Sequence, residues 1–224
     1  MINHDRHSHN HLRDTIIRAE NPYGLQAFIP GSLAWILDLG AHVGAFAMCA
    51  RFRHPLAAVY AVEPDPDSFE SLSRNADLLD IQCIPAALGR PGKVAILKPV
   101  TNTRRHGSMQ HACAVQDGGP VVSLPLTSLV DRCGLDLNTP GFVKMDIEGG
   151  EYSVFNDPDS VAVLTACAGV SIEVHPPIDG GSPFPLCDRI SKCFVETHDV
   201  TVPYRKHRGC LLYAVSRSPA EPSA

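Results

Sequence analysis

Three clusters in this 224-residue chain have residue types and spacings that could do chemistry. The first is Asp38-Leu39-Gly40-Ala41-His42-Val43-Gly44, an acid followed by a Gly-x-x-x-Gly turn. Glycines let a backbone turn sharply and approach a ligand closely, and a helix opening after such a turn offers unpaired N–H groups. The same pattern also serves as a plain structural turn, so a second signal is needed. Glu63 supplies it: the residue stands just beyond an apolar run, where a carboxylate can accept hydrogen bonds from both hydroxyls of a ribose. Pro64 follows it and completes that corner of the expected site. The turn lacks the G-x-G-x-x-G spacing that pyrophosphate prefers, and Asp38 would repel pyrophosphate while being able to hold the ammonium of an amino-acid moiety. A nucleoside cofactor without phosphate is therefore expected.

The second cluster is Lys144-x-Asp146-x-Glu148-Gly149-x-Glu151, and the third is Glu173-Val174-His175. Asp146 falls at the C-terminal end of an apolar strand pattern, where open α/β sheets place their ligands. Glu148 and Glu151 have the simpler reading of acids near a helix N-terminus. Lys144 lies within the strand pattern and needs a carboxylate partner, because burying an ammonium alone is costly. His175 is the candidate general base for a proton leaving an attacking hydroxyl, with Glu173 and Asp146 as the other candidate catalytic groups. No dense Asp/Asn/His cluster marks a complete metal site, so no metal is expected, although Asp146 with Glu148 or Glu173 could orient an acceptor through one.

These residues need a scaffold that brings distant segments together. Trp35 to Leu39, Ala57 to Val62 and Ile81 to Ala86 read as buried strands, separated by helical patterns over Val43 to Arg53 and Asp65 to Leu79. In the second helix Asp67 or Ser68 is the expected cap. Gly141 to Asp146 and Ala168 to Val174 read as two further strands, and Cys193 to Thr197 with Gly209 to Val215 as an antiparallel hairpin closing the sheet. Strand and helix in alternation predict an α/β fold: a Rossmann-like, seven-stranded, mostly parallel sheet with an antiparallel last strand and helices on both faces. Residues 92–126 interrupt the rhythm, and their polar part, Thr101 to Gly119, is a natural substrate lid.

The organisation predicted is a His-rich flexible segment over 1–14, one domain over 15–216 and a frayed tail over 217–224. His4, His7, His9 and His11 could capture a stray metal, but a mobile terminus lacks the surrounding structure that makes a site selective. A net charge of −5 with scattered Lys and Arg disfavours nucleic acid. With neither a secretory signal nor an apolar stretch of about 20 residues, the chain reads as cytoplasmic and not membrane-bound. The eight cysteines form no C-x-x-C pair and read as free, buried thiols.

The stretches ILDLGAHVGAFA (36–47), AVEPDPDSFESLSRNADLL (61–79), PAALG (85–89), GFVKMDIEGGEYSVF (141–155) and SIEVHP (171–176) resemble the FkbM-type S-adenosylmethionine-dependent methyltransferases. That resemblance implies S-adenosylmethionine as cofactor. Its methionine part would lie against Asp38, Gly40, Ala41, His42 and Gly44, and its ribose against Glu63. Its adenine would lie beside the segment around Cys83 to Ala87, Ala86 and Ala87 included, and its sulfonium before Asp146. The resemblance further implies a hydroxyl acceptor on a small molecule, sugar or glycan. Where the family usually carries Leu-Asp ahead of the acidic block, this chain has Leu129-Val130, with Asp131 one place later. A nicotinamide-dependent oxidoreductase and a non-catalytic binding module stand as alternatives on the same sheet.

Overall fold

The computed structural model describes residues 23–97, 114–177, 180–206 and 209–217. In chain order its elements are β1 (Trp35–Leu39), α1 (Ala45–Arg53), β2 (Ala58–Val62), α2 (Pro66–Ala76), β3 (Ile81–Ile84), β4 (Ala87–Leu88), β5 (Gly92–Leu97), β6 (Ala114–Asp117) and β7 (Val121–Leu124). Then come α3 (Leu126–Cys133), β8 (Gly141–Met145), α4 (Glu151–Phe155), α5 (Pro158–Ala166), β9 (Gly169–Val174), α6 (Phe184–Phe194), β10 (His198–Lys206) and β11 (Gly209–Ser216).

Seven strands form the main sheet in the order β10-β11-β9-β8-β1-β2-β3. Pairing is parallel from β9 through β8, β1 and β2 to β3, and antiparallel where β11 meets β9 and β10. The central strands β1 and β8 are buried at every residue, as continuous apolar runs covered on both faces must be. One face carries Phe46, Ala47 and Ala50 of α1 with Leu72 of α2. The other carries Leu129 of α3, Leu164 of α5 and Ile190 and Phe194 of α6. The chain leaves β1 on one side and enters β8 on the other, so the strand order reverses between them. A crevice opens at the C-terminal ends of strands at such a point.

Several expectations change in detail. Cys193 and Phe194 end α6 and do not start a strand: Leu186, Ile190 and Phe194 recur every four residues and bury one helical face, so the hairpin begins at His198. The cap of α2 is Asp65, whose Oδ1 accepts the N–H groups of Asp67 and Ser68. β3 ends at Ile84, and Ala87 and Leu88 join a separate four-stranded sheet, ordered β4-β7-β5-β6, built from the 92–126 excursion. The Thr101 to Gly119 lid falls largely within 98–113, outside the described residues, as do the His-rich segment 1–14 and residues 218–224. Cys187 on α6 and Cys210 on β11 are bonded to each other, where every thiol was read as free; packing of the helix on the strand brings together residues 23 apart in sequence. Among the described residues no helix is long and apolar enough to cross a membrane.

Candidate active site

The Gly-x-x-x-Gly turn follows β1 directly. Gly40 has φ +76 and Gly44 φ +89, a backbone region that favours glycine. At Gly40 the constraint is also one of space: a Cβ there would lie 1.8 Å from the carbonyl oxygen of Asp146. The first turn and the end of β8 are thus in backbone contact. Lys144 ties them further. Its ammonium lies 3.1 Å from Asp38 Oδ1 and donates to the carbonyl of Gly40 at 2.7 Å. Burial works to lower the Lys144 pKa, but Asp38 and Asp146 raise it above the usual value, so the side chain stays charged.

Asp38 is fully buried and paired with Lys144, so it does not present a carboxylate to the crevice. The ammonium-holding role expected of it is not available in this arrangement. A cleft of about 350 Å³, counted with its open mouth, is lined by Gly40, Ala41, His42, Phe46, Asp146 and, unanticipated, Tyr23. Gly44 lies behind the turn against Leu72. Ala86 and Ala87 are buried and Pro64 half-buried, and none of the three lines the cleft. Glu63 closes the corner after β2: its Oε2 accepts the His42 N–H at 2.8 Å and its Oε1 the Asp65 N–H at 2.9 Å. Burial pushes its carboxyl up to about 7, against those two donors.

Beyond Asp146 the chain turns around one carboxylate. Glu151 is fully buried; its Oε1 accepts the Ile147 N–H and its Oε2 the Gly149 N–H. Oε1 also meets His175 Nδ1 at 3.1 Å. The acid assigned from sequence to a helix N-terminus therefore shapes the loop that carries Asp146 and Glu148, and it holds the histidine from the neighbouring strand end. Glu148 sits in this loop at φ +52. The other ring nitrogen, Nε2, lies 3.7 Å from Asp146 Oδ1 and 3.5 Å from Glu148 Oε2.

Asp146 has its other oxygen fixed: Tyr23 donates to Oδ2 at 3.0 Å, and the Lys144 ammonium lies 3.8 Å away. Burial and the Asp146 charge hold the Tyr23 phenol well above its usual pKa, which keeps it a donor. Burial lifts Glu148 to about 8, with His175 opposing. Burial and the charge of Asp146 lift Glu173 to about 7. His175 moves the other way: burial alone would lower it, but the Glu151 hydrogen bond and the surrounding carboxylates raise it to about 10. A general base works best with a pKa near the working pH, and these carboxylates move His175 upward, away from that range. Asp146 follows β8, Glu173 lies near the end of β9 and His175 just after it, with His175 Nε2 3.7 Å from Asp146 Oδ1.

Tyr23 escaped the sequence reading, while Glu151 stands in the first turn of α4 as expected and has a further role in the loop before it. Tyr23 meets Asp146 across 123 positions with no motif of its own. Glu151 was in view, within the Lys144-to-Glu151 block, but helix periodicity cannot show that a side chain folds back on its own loop.

Residues 38–200 match the family described as Methyltransferase FkbM domain. Methyltransferase 1 of Beauveria bassiana (strain ARSEF 2860) is 25% identical over 146 residues, covering 56% of this chain and 59% of that protein. The crystal structure of Methyltransferase FkbM from Methylobacillus flagellatus KT superimposes with a TM-score of 0.55 at 16% identity, covering 87% of this chain and 46% of that one. The matches span less than two thirds of either relative's length.

Proposed function

The chain belongs to the FkbM methyltransferase family, and we propose that it transfers a methyl group from S-adenosylmethionine to a hydroxyl of a small molecule, sugar or glycan. The observation that carries this reading is the acidic crevice at the strand-order reversal, where the Gly40 turn touches the Asp146 backbone and Glu63 closes the far corner. The donor set suits that cofactor. The Asp146 carboxylate would repel a pyrophosphate, while a carboxyl group at the end of β2 suits ribose hydroxyls and an acidic floor suits a sulfonium and an ammonium. The requirement for glycine at position 40 brings the turn close enough for Ala41 and His42 to line the same cleft.

Gly40, Ala41 and His42 would hold the amino-acid part, Glu63 the ribose, and Asp146 the region of the reacting centre. When bound, the cofactor supplies a methyl carbon on a positively charged leaving group. The protein's main task is then alignment, which can lower a barrier by roughly 7–11 kcal/mol. Tyr23 and Lys144 fix Asp146 Oδ2 and leave Oδ1 toward His175. The proton of an attacking hydroxyl passes to a carboxylate, Asp146 or Glu173, because the acids around His175 favour its charged form. A net charge of −5 supports an uncharged or cationic acceptor over nucleic acid.

The test is incubation of the full chain with methyl-labelled S-adenosylmethionine and panels of sugars, glycans and hydroxylated small molecules, read by mass spectrometry. An acceptor that gains one labelled methyl as S-adenosylhomocysteine accumulates is the expected result. Failure of the chain to bind S-adenosylmethionine overturns the reading.

A further inference from the structure

We propose that Asp146, Glu148 and His175 bind one divalent transition-metal ion, with Glu151 orienting the histidine. One ligand atom from each of the three lies within 4.8 Å of the others. His175 Nε2 stands 3.5 Å from Glu148 Oε2 and 3.7 Å from Asp146 Oδ1. Those separations are too long for hydrogen bonds. They are close to the edges of a coordination shell, since ligands bonded at about 2.1 Å to one ion lie roughly 3.0–3.5 Å apart.

The histidine carries the second, independent sign. Its side chain is 11% exposed, its Nδ1 is held by the fully buried Glu151, and its Nε2 faces the two carboxylates at 3.5 and 3.7 Å. A ligating histidine is normally fixed in this way, with the far nitrogen donating to a carboxylate so that the near one presents its lone pair. Glu151 is itself immobilised by two backbone N–H groups of the loop bearing Asp146 and Glu148, so one carboxylate sets all three ligands. Charge points the same way. Lys144 is shared between Asp38 and Asp146, and Glu148, Glu151 and Asp146 Oδ1 gather around a single imidazole. A divalent ion would balance them.

One nitrogen and two oxygens, with positions left open, suit Mn²⁺, Fe²⁺, Co²⁺ or Zn²⁺ better than Ca²⁺, which takes six to eight oxygens. Of the three ligands Asp146 lines the cleft, so an ion it held there would hold and polarise an acceptor hydroxyl. That role rests on the methyl-transfer reading; the ion's binding does not.

Mn²⁺ alone is the probe, titrated against the full chain without cofactor and followed by the loss of the free-ion electron paramagnetic resonance signal. A chain carrying His4→Ala, His7→Ala, His9→Ala and His11→Ala is run beside it to remove capture by the N-terminal histidines. One ion per chain in both is the expected result, with affinity lowered about 10–100-fold by Glu151→Gln and at least as far by His175→Gln. Glu148→Gln, at a half-buried position, weakens binding without a fold defect, and circular dichroism reports the fold of each variant. No binding at millimolar Mn²⁺, or binding that survives both His175→Gln and Glu148→Gln, overturns the proposal. Calorimetric binding of S-adenosylmethionine to the same preparations separates this outcome from failure of the methyltransferase reading.

Discussion

The two halves of the crevice are built on opposite electrostatic plans. On the β1–β2 side every charged group has a fixed partner: Asp38 takes Lys144, Lys144 takes the Gly40 carbonyl, and Glu63 takes two backbone N–H groups. On the β8–β9 side carboxylates outnumber cations, and their positions depend on one buried residue, Glu151. Paired groups with no freedom suit a ligand that is the same in every turnover, which is the expectation for a cofactor. A surplus of one charge at fixed positions is complete only when something of the opposite charge arrives. On the reading proposed above, the first half would take the cofactor and the second a cation.

Perturbing the β1–β2 half should damage the fold as well as binding. Gly40→Ala places a methyl group against the Asp146 carbonyl and requires φ near +76 of a residue that avoids it. Backbone strain and overpacking together should cost about 3 kcal/mol or more, read from urea unfolding, and cofactor binding should be lost. Lys144→Met leaves Asp38 buried and unpaired, which costs about 3–5 kcal/mol, while Asp38→Asn with Lys144→Met recovers part of that loss. Equal damage from the single and double variants would break the claim that the pair holds the turn.

The β8–β9 half should respond in activity more than in stability. Glu151→Gln preserves volume but weakens the hold on His175, and methyl-transfer turnover should fall about 10–100-fold while S-adenosylmethionine affinity changes little. A comparable loss of cofactor affinity would erase the division between the halves. The smallest effect concerns pH. Burial raises Glu63 from 4.5 to about 7, so the folded state binds its proton more tightly than the unfolded chain does. This group's contribution to stability therefore falls as pH rises from about 4.5 to about 7. Glu63→Gln should remove that part of the slope when unfolding is followed across this range.

The sheet was legible in the sequence because its strands are continuous apolar runs and its ends are marked by Gly40, Glu63 and Asp146. Alternating strand and helix patterns then imply the parallel order. The hairpin start was misplaced because Cys193 to Thr197 carries apolar residues that fit a strand as well as a helix end, and the four-residue recurrence from Leu186 decides only once the opposing surface is known. The site was legible as a set of acids and not as an arrangement. Spacing placed Asp38 near the cofactor, but only the fold shows that Lys144 neutralises it, and the Tyr23 contact with Asp146 has no local signature. Roles that depend on where a side chain turns back, as with Glu151, lie beyond periodicity.

The central claim is that the Gly40 turn and Glu63 form a site for S-adenosylmethionine. Isothermal titration of that compound into the full chain, with Glu63→Gln and NAD as comparisons, tests it most directly. One binding site per chain, weakened about tenfold or more by Glu63→Gln because hydrogen bonds to a charged group are worth about 1.5–3 kcal/mol, and no binding of NAD, is the predicted result. No binding, affinity untouched by Glu63→Gln, or NAD bound as tightly would contradict it.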